Sequence, residues 1–424
     1  MKYSKIGIIN LGCAKNLVDA EKLITQLIKS GYEIVTTYDK ADLVIINTCG
    51  FINDAIEESL NTIADALKNH GKVIVTGCLG VNKKNIEEKY PEVLYICGPN
   101  QITKIINVIQ KYLPVMPSPI PEIIPAAGFK LTPSHYAYVK VSEGCNHQCS
   151  FCIIPQLRGK LISRSIKNIM QEAEQLVDAG VKELIIISQD TTSYGNDLDK
   201  QTNLIKLAHE LSELGIWIRL HYLYPHPMIE KILPLMQQNK ILPYLDVPLQ
   251  HCNSRLLKLM QRPGNQNNLL EQIAAWRDIC PDLIIRSTFI VGFPGETEEE
   301  FKELLGFLEQ AQLDRVGCFA YSNVSGAFAN QLPNQIPEEI KQQRLEKLMN
   351  LQAQISAQKL QKKIGTTQQV LIDEVNEDEA IGRTQGNSPE IDGNIYINNA
   401  SRLNPGDLVD VVIQNADEHD LYGR

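Results

Sequence analysis

The 424-residue sequence lacks the segments that would tie it to a membrane or direct it out of the cell. No run of eighteen apolar residues occurs, so the sequence predicts no transmembrane helix. Residues 1–5 show no signal-peptide pattern and lead into a short apolar strand, so we expect a soluble, cytoplasmic protein. Ten cysteines fall short of the density of a disulfide scaffold, which favours reduced thiols.

An excess of acidic residues is confined to the carboxyl end of the chain. Residues 366–424 hold twelve Asp and Glu against three Arg, a net charge of −9 that equals the formal charge of the whole chain. Such a field repels phosphate backbones and attracts basic surfaces, so it favours a basic protein partner over a nucleic-acid substrate.

Three cysteines lie within eight residues, directly after a predicted strand at 138–142. Cys145, Cys149 and Cys152 have the spacing C-x-x-x-C-x-x-C, which suits an iron-sulfur cluster with one iron left open because cluster ligation normally takes four thiolates. A structural zinc site needs a fourth Cys or His nearby, and although His147 lies in the loop, the usual zinc spacings are absent. The spacing therefore predicts a cluster, with a structural metal or chance as the alternatives.

Residues 1–113 alternate short apolar runs with amphipathic stretches, the pattern of a doubly wound parallel α/β domain. Strands are predicted at 5–10, 33–36, 42–47, 72–76 and 93–96, and helices at 16–30, 53–68 and 101–112. Cys13, Cys49 and Cys78 each follow a strand and stand beside a glycine, at the edge where open α/β sheets bind ligands. They indicate a second three-thiolate cluster, or else three small buried residues.

Six prolines in 114–133 predict an extended linker and a domain boundary. Residues 134–364 then contain six strand-helix units, which predict a partial (βα)6 barrel with its functional loops at the carboxyl ends of the strands. The predicted strands are 138–142, 183–188, 217–221, 244–248, 284–291 and 315–321, and the predicted helices are 166–179, 204–214, 228–238, 266–279, 297–310 and 337–363. The cysteine triplet follows the first strand and should therefore lie at the mouth of the barrel.

Three more segments follow strands of this barrel: 188–192, 249–252 and 289–297. Their shared position indicates contacts with a small polar ligand, the alternative being ordinary loop and cap chemistry with Thr297 as a helix N-cap. From position at the mouth we predict Gln189, Gln250, Arg286 and Gly292 as cofactor contacts.

Residues 365–424 consist of short alternating strands separated by Gly, Asn and Asp turns, which predict a small antiparallel β-barrel.

These motifs resemble the radical S-adenosylmethionine (SAM) methylthiotransferase family across essentially the full length. The resemblance implies that Cys145, Cys149 and Cys152 bind a catalytic 4Fe-4S cluster, that Cys13, Cys49 and Cys78 bind a second one, and that the carboxyl-terminal segment is an OB-like TRAM domain. Phe151 occupies the aromatic place before the last cysteine of the triplet, and we count it among the cofactor contacts. The implied domains are 1–113, 114–133 as linker, 134–364 and 365–424.

Residues 11–21, 47–52, 75–79, 131–140 and 246–251 resemble the RimO branch of that family, which modifies the small-subunit ribosomal protein S-twelve, rather than the tRNA-modifying MiaB branch. The implied reaction adds a methylthio group to the β-carbon of an aspartate. One SAM yields a 5′-deoxyadenosyl radical that takes hydrogen from this carbon, a second SAM supplies the methyl, and the second cluster supplies the sulfur. A reductant such as flavodoxin or ferredoxin is implied. The alternatives are tRNA methylthiolation and a non-catalytic iron-sulfur module.

Overall fold

The computed structural model describes residues 4–36, 40–113, 125–398, 400 and 402–424. Their strands form a five-stranded sheet, a six-stranded sheet, a closed five-stranded barrel and one small hairpin. Within these ranges no helix combines the length and apolar character needed to cross a membrane. The predicted α/β class with three successive units is confirmed.

The first unit is a parallel sheet with the order β2-β1-β3-β4-β5. Its strands are β1 (Lys5–Asn10), β2 (Glu33–Val35), β3 (Leu43–Thr48), β4 (Val73–Gly77) and β5 (Tyr95–Ile96). The helices are α1 (Ala14–Lys29), α2 (Asn53–His70), α3 (Lys83–Lys89) and α4 (Ile102–Tyr112), of which the sequence did not predict α3. β3 and β4 are buried throughout, as expected of Val- and Ile-rich strands covered on both faces.

The second unit is an open sheet of six parallel strands in the order β6-β9-β10-β11-β12-β13, a partial barrel as predicted. These strands are β6 (Tyr136–Lys140), β9 (Glu183–Ile187), β10 (Trp217–Leu220), β11 (Tyr244–Asp246), β12 (Ile284–Val291) and β13 (Arg315–Ala320). After β6, the short pair β7 (Ser142–Glu143) and β8 (Ile162–Ser163) brackets a loop and α5 (Ile154–Arg158). The outer helices are α6 (Ile166–Asp178), α7 (Leu204–Ser212), α8 (Met228–Gln237), α9 (Ser254–Leu259), α10 (Gln266–Ile279), α11 (Glu298–Ala311) and α12 (Glu338–Gln361).

The predicted linker at 114–133 lies mostly outside the described residues, and only two of its six prolines, Pro125 and Pro133, fall within them. The described end of this segment runs along α1. The amide of Phe129 donates to Thr25 Oγ1 at 2.8 Å, and Lys130 Nζ lies 3.2 Å from Glu21 Oε2. This part of the segment is therefore bonded to the first unit.

The third unit is a closed β-barrel with the order β14-β15-β16-β18-β17. The strands are β14 (Thr367–Val375), β15 (Glu379–Thr384), β16 (Ile395–Asn398), β17 (Leu408–Ala416) and β18 (Leu421–Gly423). All pairs are antiparallel except β16 with β18, which are parallel. The sequence did not predict β18.

Strand β15 packs against the concave face of the partial barrel through buried charges. Glu183 bonds both Arg219 Nε at 2.7 Å and Arg383 Nη1 at 2.6 Å, and all three side chains are at most 2% exposed. Because a buried carboxylate is tolerated only when it is paired, these bonds fix the third unit on the second.

Candidate functional site

The first three-thiol loop, residues 144–153, is anchored at its amino-terminal end. The amide of Cys145 donates to Gly159 O at 3.1 Å, and Gly144 has a φ of +78°. A Cβ at Gly144 would lie 2.1 Å from Lys160 O, so only glycine fits this approach. Cys145, Cys149 and Cys152 are all partly exposed, as open coordination at this mouth requires.

N–H groups point at the three sulfurs of this loop. The amide of His147 donates to Cys145 Sγ at 3.4 Å, the amide of Ile154 to Cys152 Sγ at 3.4 Å, and Arg262 Nη1 to Cys149 Sγ at 3.9 Å. Burial nevertheless raises the pKa of Cys145 to about 11 and that of Cys152 to about 12. A positive metal centre would displace these protons, and the N–H groups would stabilise the resulting thiolates.

Among the described residues, no three His, Cys, Asp or Glu side chains converge on a single metal ion. A 4Fe-4S cluster does not require convergence on one ion, because its thiolates bind different iron atoms. The donor set of three thiols with N–H groups aimed at their sulfurs fits a 4Fe-4S cluster, and this assignment stays a prediction.

The second three-thiol set is assembled by neighbouring strands of the first unit. Cys13, Cys49 and Cys78 follow β1, β3 and β4, which pair in parallel and end at the same edge of the sheet. The three sulfurs are close enough to influence one another electrostatically. The structure therefore brings together three cysteines that are 36 and 29 positions apart in the sequence.

The three thiols of this set differ in electrostatic environment. Burial would raise the pKa of Cys13, but Lys15 and the amide of Asn16 outweigh it and lower the pKa. Cys13 is the N-cap of α1, the position where a helix favours negative charge. Burial raises the pKa of both Cys49 and Cys78, which makes these two dependent on a positive partner to become thiolates.

Arg158 connects the unit that carries the first thiol loop to Cys78 of the second thiol set, and no sequence pattern predicted this contact. It ends α5, six positions after Cys152, and its Nε donates to Cys78 Sγ at 3.3 Å. Its other nitrogens reach Asn16 Oδ1 at 2.5 Å, Asp19 Oδ2 at 2.9 Å and Glu143 Oε1 at 3.0 Å. The side chain is 2% exposed, so one buried guanidinium bonds both units at once.

His147 is bonded to neighbouring loops rather than placed as a zinc ligand. Its Nε2 lies 2.7 Å from Asp190 Oδ2, and its ring stacks on Tyr224 with centroids 3.9 Å apart. Arg262 lies over the same Tyr224 ring, 4.0 Å from its centroid. These contacts hold the middle of the first thiol loop against the loops after β9 and β10.

Four of the five predicted cofactor contacts lie at the mouth of the barrel or at its thiol loop. Gln189 follows β9, where its Nε2 donates to Glu143 at 2.5 Å while its Oε1 is buried without a hydrogen-bond partner among the described residues. Gln250 follows β11 in a left-handed conformation with φ +72°. Phe151 packs with Phe293 and Tyr321. The lone Gln189 oxygen is an acceptor available to a ligand.

Gly292, the fourth of these residues, follows β12 and has a φ of +67°. A Cβ at Gly292 would lie 2.3 Å from Lys341 Cγ, and its amide donates to Glu296 Oε2 at 2.5 Å. Glu296 is buried and also bonds Arg344 Nη1 at 2.7 Å, which fixes the glycine loop. Thr297 caps α11 with a capping box, so the predicted helix cap is confirmed.

Arg286, the fifth predicted contact, is the third residue of β12 and pairs in register with Asp246, the last residue of β11. Its Nη1 donates to Asp392 Oδ1 of the third unit at 2.7 Å. Arg286 therefore lies level with the carboxyl end of β11 while it bonds the third unit, and its role as a cofactor contact stays a prediction.

Comparison with known proteins identifies each unit. Residues 139–308 match the radical SAM superfamily, residues 5–98 match uncharacterized protein family UPF0004, and residues 364–424 match the TRAM domain. The radical S-adenosylmethionine methyltransferase TsrM from Kitasatospora setae has a similar fold, with a TM-score of 0.55 over 74% of this chain and 72% of that chain at 13% identity.

Full-length relatives are more similar in sequence. The chain is 54% identical over 430 residues to the ribosomal protein uS12 methylthiotransferase RimO of Klebsiella pneumoniae subsp. pneumoniae, covering 99% of this chain and 98% of that protein. It is 55% identical over 431 residues to the protein of the same name from Vibrio cholerae serotype O1, covering 99% and 92%.

The partial barrel, the cysteine loop and the superfamily match together define a radical SAM enzyme. Within this class, the chain belongs to the RimO family of methylthiotransferases. Membership of the superfamily implies a 4Fe-4S cluster and SAM as cofactors.

Proposed function

We propose that the protein transfers a methylthio group to the β-carbon of an aspartate of ribosomal protein uS12. The observation that carries the proposal is the name shared by relatives 54% and 55% identical over 99% of the chain. The presence of two thiol sets on facing units, joined by Arg158, supports a reaction that needs both a radical and a sulfur donor.

We assign the catalytic cluster to Cys145, Cys149 and Cys152, and a second cluster to the other three thiols, Cys13, Cys49 and Cys78. A bound 4Fe-4S cluster of the first kind supplies the electron that cleaves SAM. The chain itself would bind and orient the cofactor: Gln189 Oε1 would accept a hydrogen bond from it, and Phe151 with its aromatic neighbours would shield the thiol loop from water. We keep Gln250 and Gly292, both in left-handed backbone after strands of the barrel, as further contacts. Arg286 stays a predicted contact, although it also bonds the third unit.

The proposal extends to the setting of the reaction. We infer that the enzyme works in the cytoplasm, where ribosomal proteins are made, and that a flavodoxin- or ferredoxin-type protein reduces it. We divide the chain functionally into 1–113 for sulfur transfer, the 114–133 linker, 134–364 for radical generation and 365–424 for recognition of the substrate protein.

The negative charge of the third unit favours a basic protein substrate, but some of its acidic side chains are already bonded to arginines. Asp373 and Asp392 are bonded to Arg383 and Arg286. Three acids near the turn between β14 and β15 are exposed instead: Glu374, Glu377 and Asp378. Reversing these three to Lys should weaken uS12 binding and reduce its salt dependence, whereas reversing exposed Glu88 and Glu92 of the first unit should not.

The decisive experiment offers the reconstituted enzyme uS12 and tRNA separately and measures the mass of each by mass spectrometry. A methylthio gain on the protein supports the proposal, and a gain on tRNA alone refutes it in favour of the tRNA-modifying branch. Absence of 5′-deoxyadenosine with reductant and SAM would leave a non-catalytic iron-sulfur module.

Iron and sulfide analysis tests the two-cluster assignment separately. We expect about eight iron per chain, falling to about four when either thiol set is replaced by Ala. Cys280 provides the matched control, because it is buried in the barrel core and its replacement should leave iron content unchanged. About four iron in the wild-type chain would remove the second cluster.

A further inference from the structure

The side chain of Lys15 is a cation inside the molecule, and no carboxylate of the described residues is bound to it. It lies in the first turn of α1 and points into the concave face of the partial barrel, where its Nζ is 3.2 Å from the centroid of the Tyr222 ring. The ammonium makes no hydrogen bond or ion pair that joins it to another described residue. The residue is only partly buried by surface area, so solvent still reaches this deep position.

The nearest carboxylates are already bound by other groups. Asp246 Oδ2 accepts from the amide of Tyr222 at 2.9 Å, and Oδ1 lies 4.0 Å from Arg286 Nε. Glu143 is bonded by Lys140, Arg158 and Gln189. Both influence Lys15 from a distance, as do Cys13 and Arg158, but neither carboxylate neutralises it by contact.

The aromatic partner of this lysine is held in a strained conformation. Tyr222 is the second residue after β10 and has a φ of +57°. This left-handed backbone conformation is unusual for a bulky residue. Such strain collects at functional sites and persists only where the surroundings enforce it. Here the Tyr222 amide bond to Asp246 enforces it and keeps the ring beneath the ammonium.

An ammonium that rests on an aromatic face and has no carboxylate partner among the described residues is suited to binding an anion brought by a ligand. The ammonium also stands two residues after Cys13, beside the thiol set to which we assign sulfur delivery. An acceptor side chain must reach this place.

We propose that Lys15, held over Tyr222, is the subsite for the side-chain carboxylate of the acceptor aspartate and so selects an acidic acceptor. The inference rests on the proposed function. It names the group that recognises the reacting residue, while the thiol sets carry the chemistry.

The test measures binding of two synthetic uS12 peptides to the reconstituted enzyme, one with the acceptor aspartate and one with asparagine in its place. The wild-type enzyme should bind the aspartate peptide about 10- to 100-fold more tightly, the range of a charge-assisted hydrogen bond. Lys15→Met should lose this preference, and Lys15→Arg should retain part of it. Lys22→Met is the matched control, since Lys22 is also a half-buried lysine of α1 but lines a cleft near residues 126–130.

The outcomes separate the subsite from the proposed function. Equal peptide preference in the wild-type and Lys15→Met enzymes overturns the subsite alone, and so does a Lys15→Met defect that appears in SAM binding with the peptide preference intact. If the wild-type enzyme binds neither peptide, the proposed function fails and the subsite with it. Iron content, measured for every variant, shows that both clusters are retained, and loss of preference at full iron content supports the subsite.

Discussion

Replacing Arg158 with methionine tests whether one buried guanidinium holds the thiol-bearing unit on the barrel. The side chain has four bonded partners: Cys78, Asn16, Asp19 and Glu143. Removing one partner of a buried charge network typically costs about 3–5 kcal/mol. Because Lys140 still pairs with both Asp19 and Glu143, we expect a smaller loss of about 2–3 kcal/mol in the free energy of unfolding.

The same network predicts a pH dependence. Burial would raise the pKa of Glu143, but Lys140 and Arg158 outweigh it and lower the pKa to about 2. A carboxyl with a lowered pKa stabilises the folded state above its ordinary pKa of 4.5, and this stability is lost as the pH falls toward 2. The Arg158→Met protein should therefore lose less stability than the wild type between about pH 4.5 and 2, because part of the lowering is already gone.

Urea unfolding measures the stability change, and hydrogen exchange of the α1 amides shows where it arises. Arg255→Met is the matched control, because Arg255 forms a bidentate ion pair with Glu300 but its side chain is 51% exposed. Surface ion pairs of this kind contribute about 1 kcal/mol or less to the free energy of unfolding. Equal losses in the two variants, or unchanged protection of α1, would show that Arg158 does not hold the units together.

Two further predictions concern other contacts of the site. Gly144→Ala should distort the first thiol loop and lower the iron content of the protein, because the new Cβ would lie 2.1 Å from Lys160 O. Gly180→Ala is the control, since Gly180 also has a positive φ but no atom within 4 Å of the added Cβ. Similar iron content in the two variants would show that the clash at Gly144 does not disturb the loop. Arg383→Met should leave Glu183 paired with Arg219 alone, lower the free energy of unfolding by about 3 kcal/mol and make the third unit more sensitive to protease. Arg402 is exposed, so Arg402→Met should change neither the stability nor the protease sensitivity.

The sequence predicted the regular elements well because their patterns are local. Most strands and helices of the barrel agree with the predicted bounds within two residues, and β12 agrees fully. The elements that were missed are α3, α5, α9, β7, β8 and β18. Each has two to seven residues, which is too short for a hydrophobic period to be recognised.

The site was less predictable because its side chains meet across long separations. Arg158 is 80 positions from Cys78, and Arg383 is 200 positions from Glu183, so neither pairing leaves a pattern in the sequence. The cysteines could be grouped because strand ends of a parallel sheet meet at one edge, a rule that holds for backbone position. No such rule predicts which partners a long basic side chain reaches, as the bond from Arg286 to Asp392 shows.

The first helix explains how two separately built thiol sites come to face each other. Leu23 and Leu27 of α1 pack into the core of the first unit, while Val18 packs with Tyr136 and Tyr138 on the concave face of the barrel. The helix therefore belongs to two cores, and its orientation is fixed by both. Its N-terminal turns carry the Cys13 thiol at the cap, Lys15 and the acceptors of Arg158. The packing that docks the units therefore also sets the position of Cys13 relative to the barrel mouth.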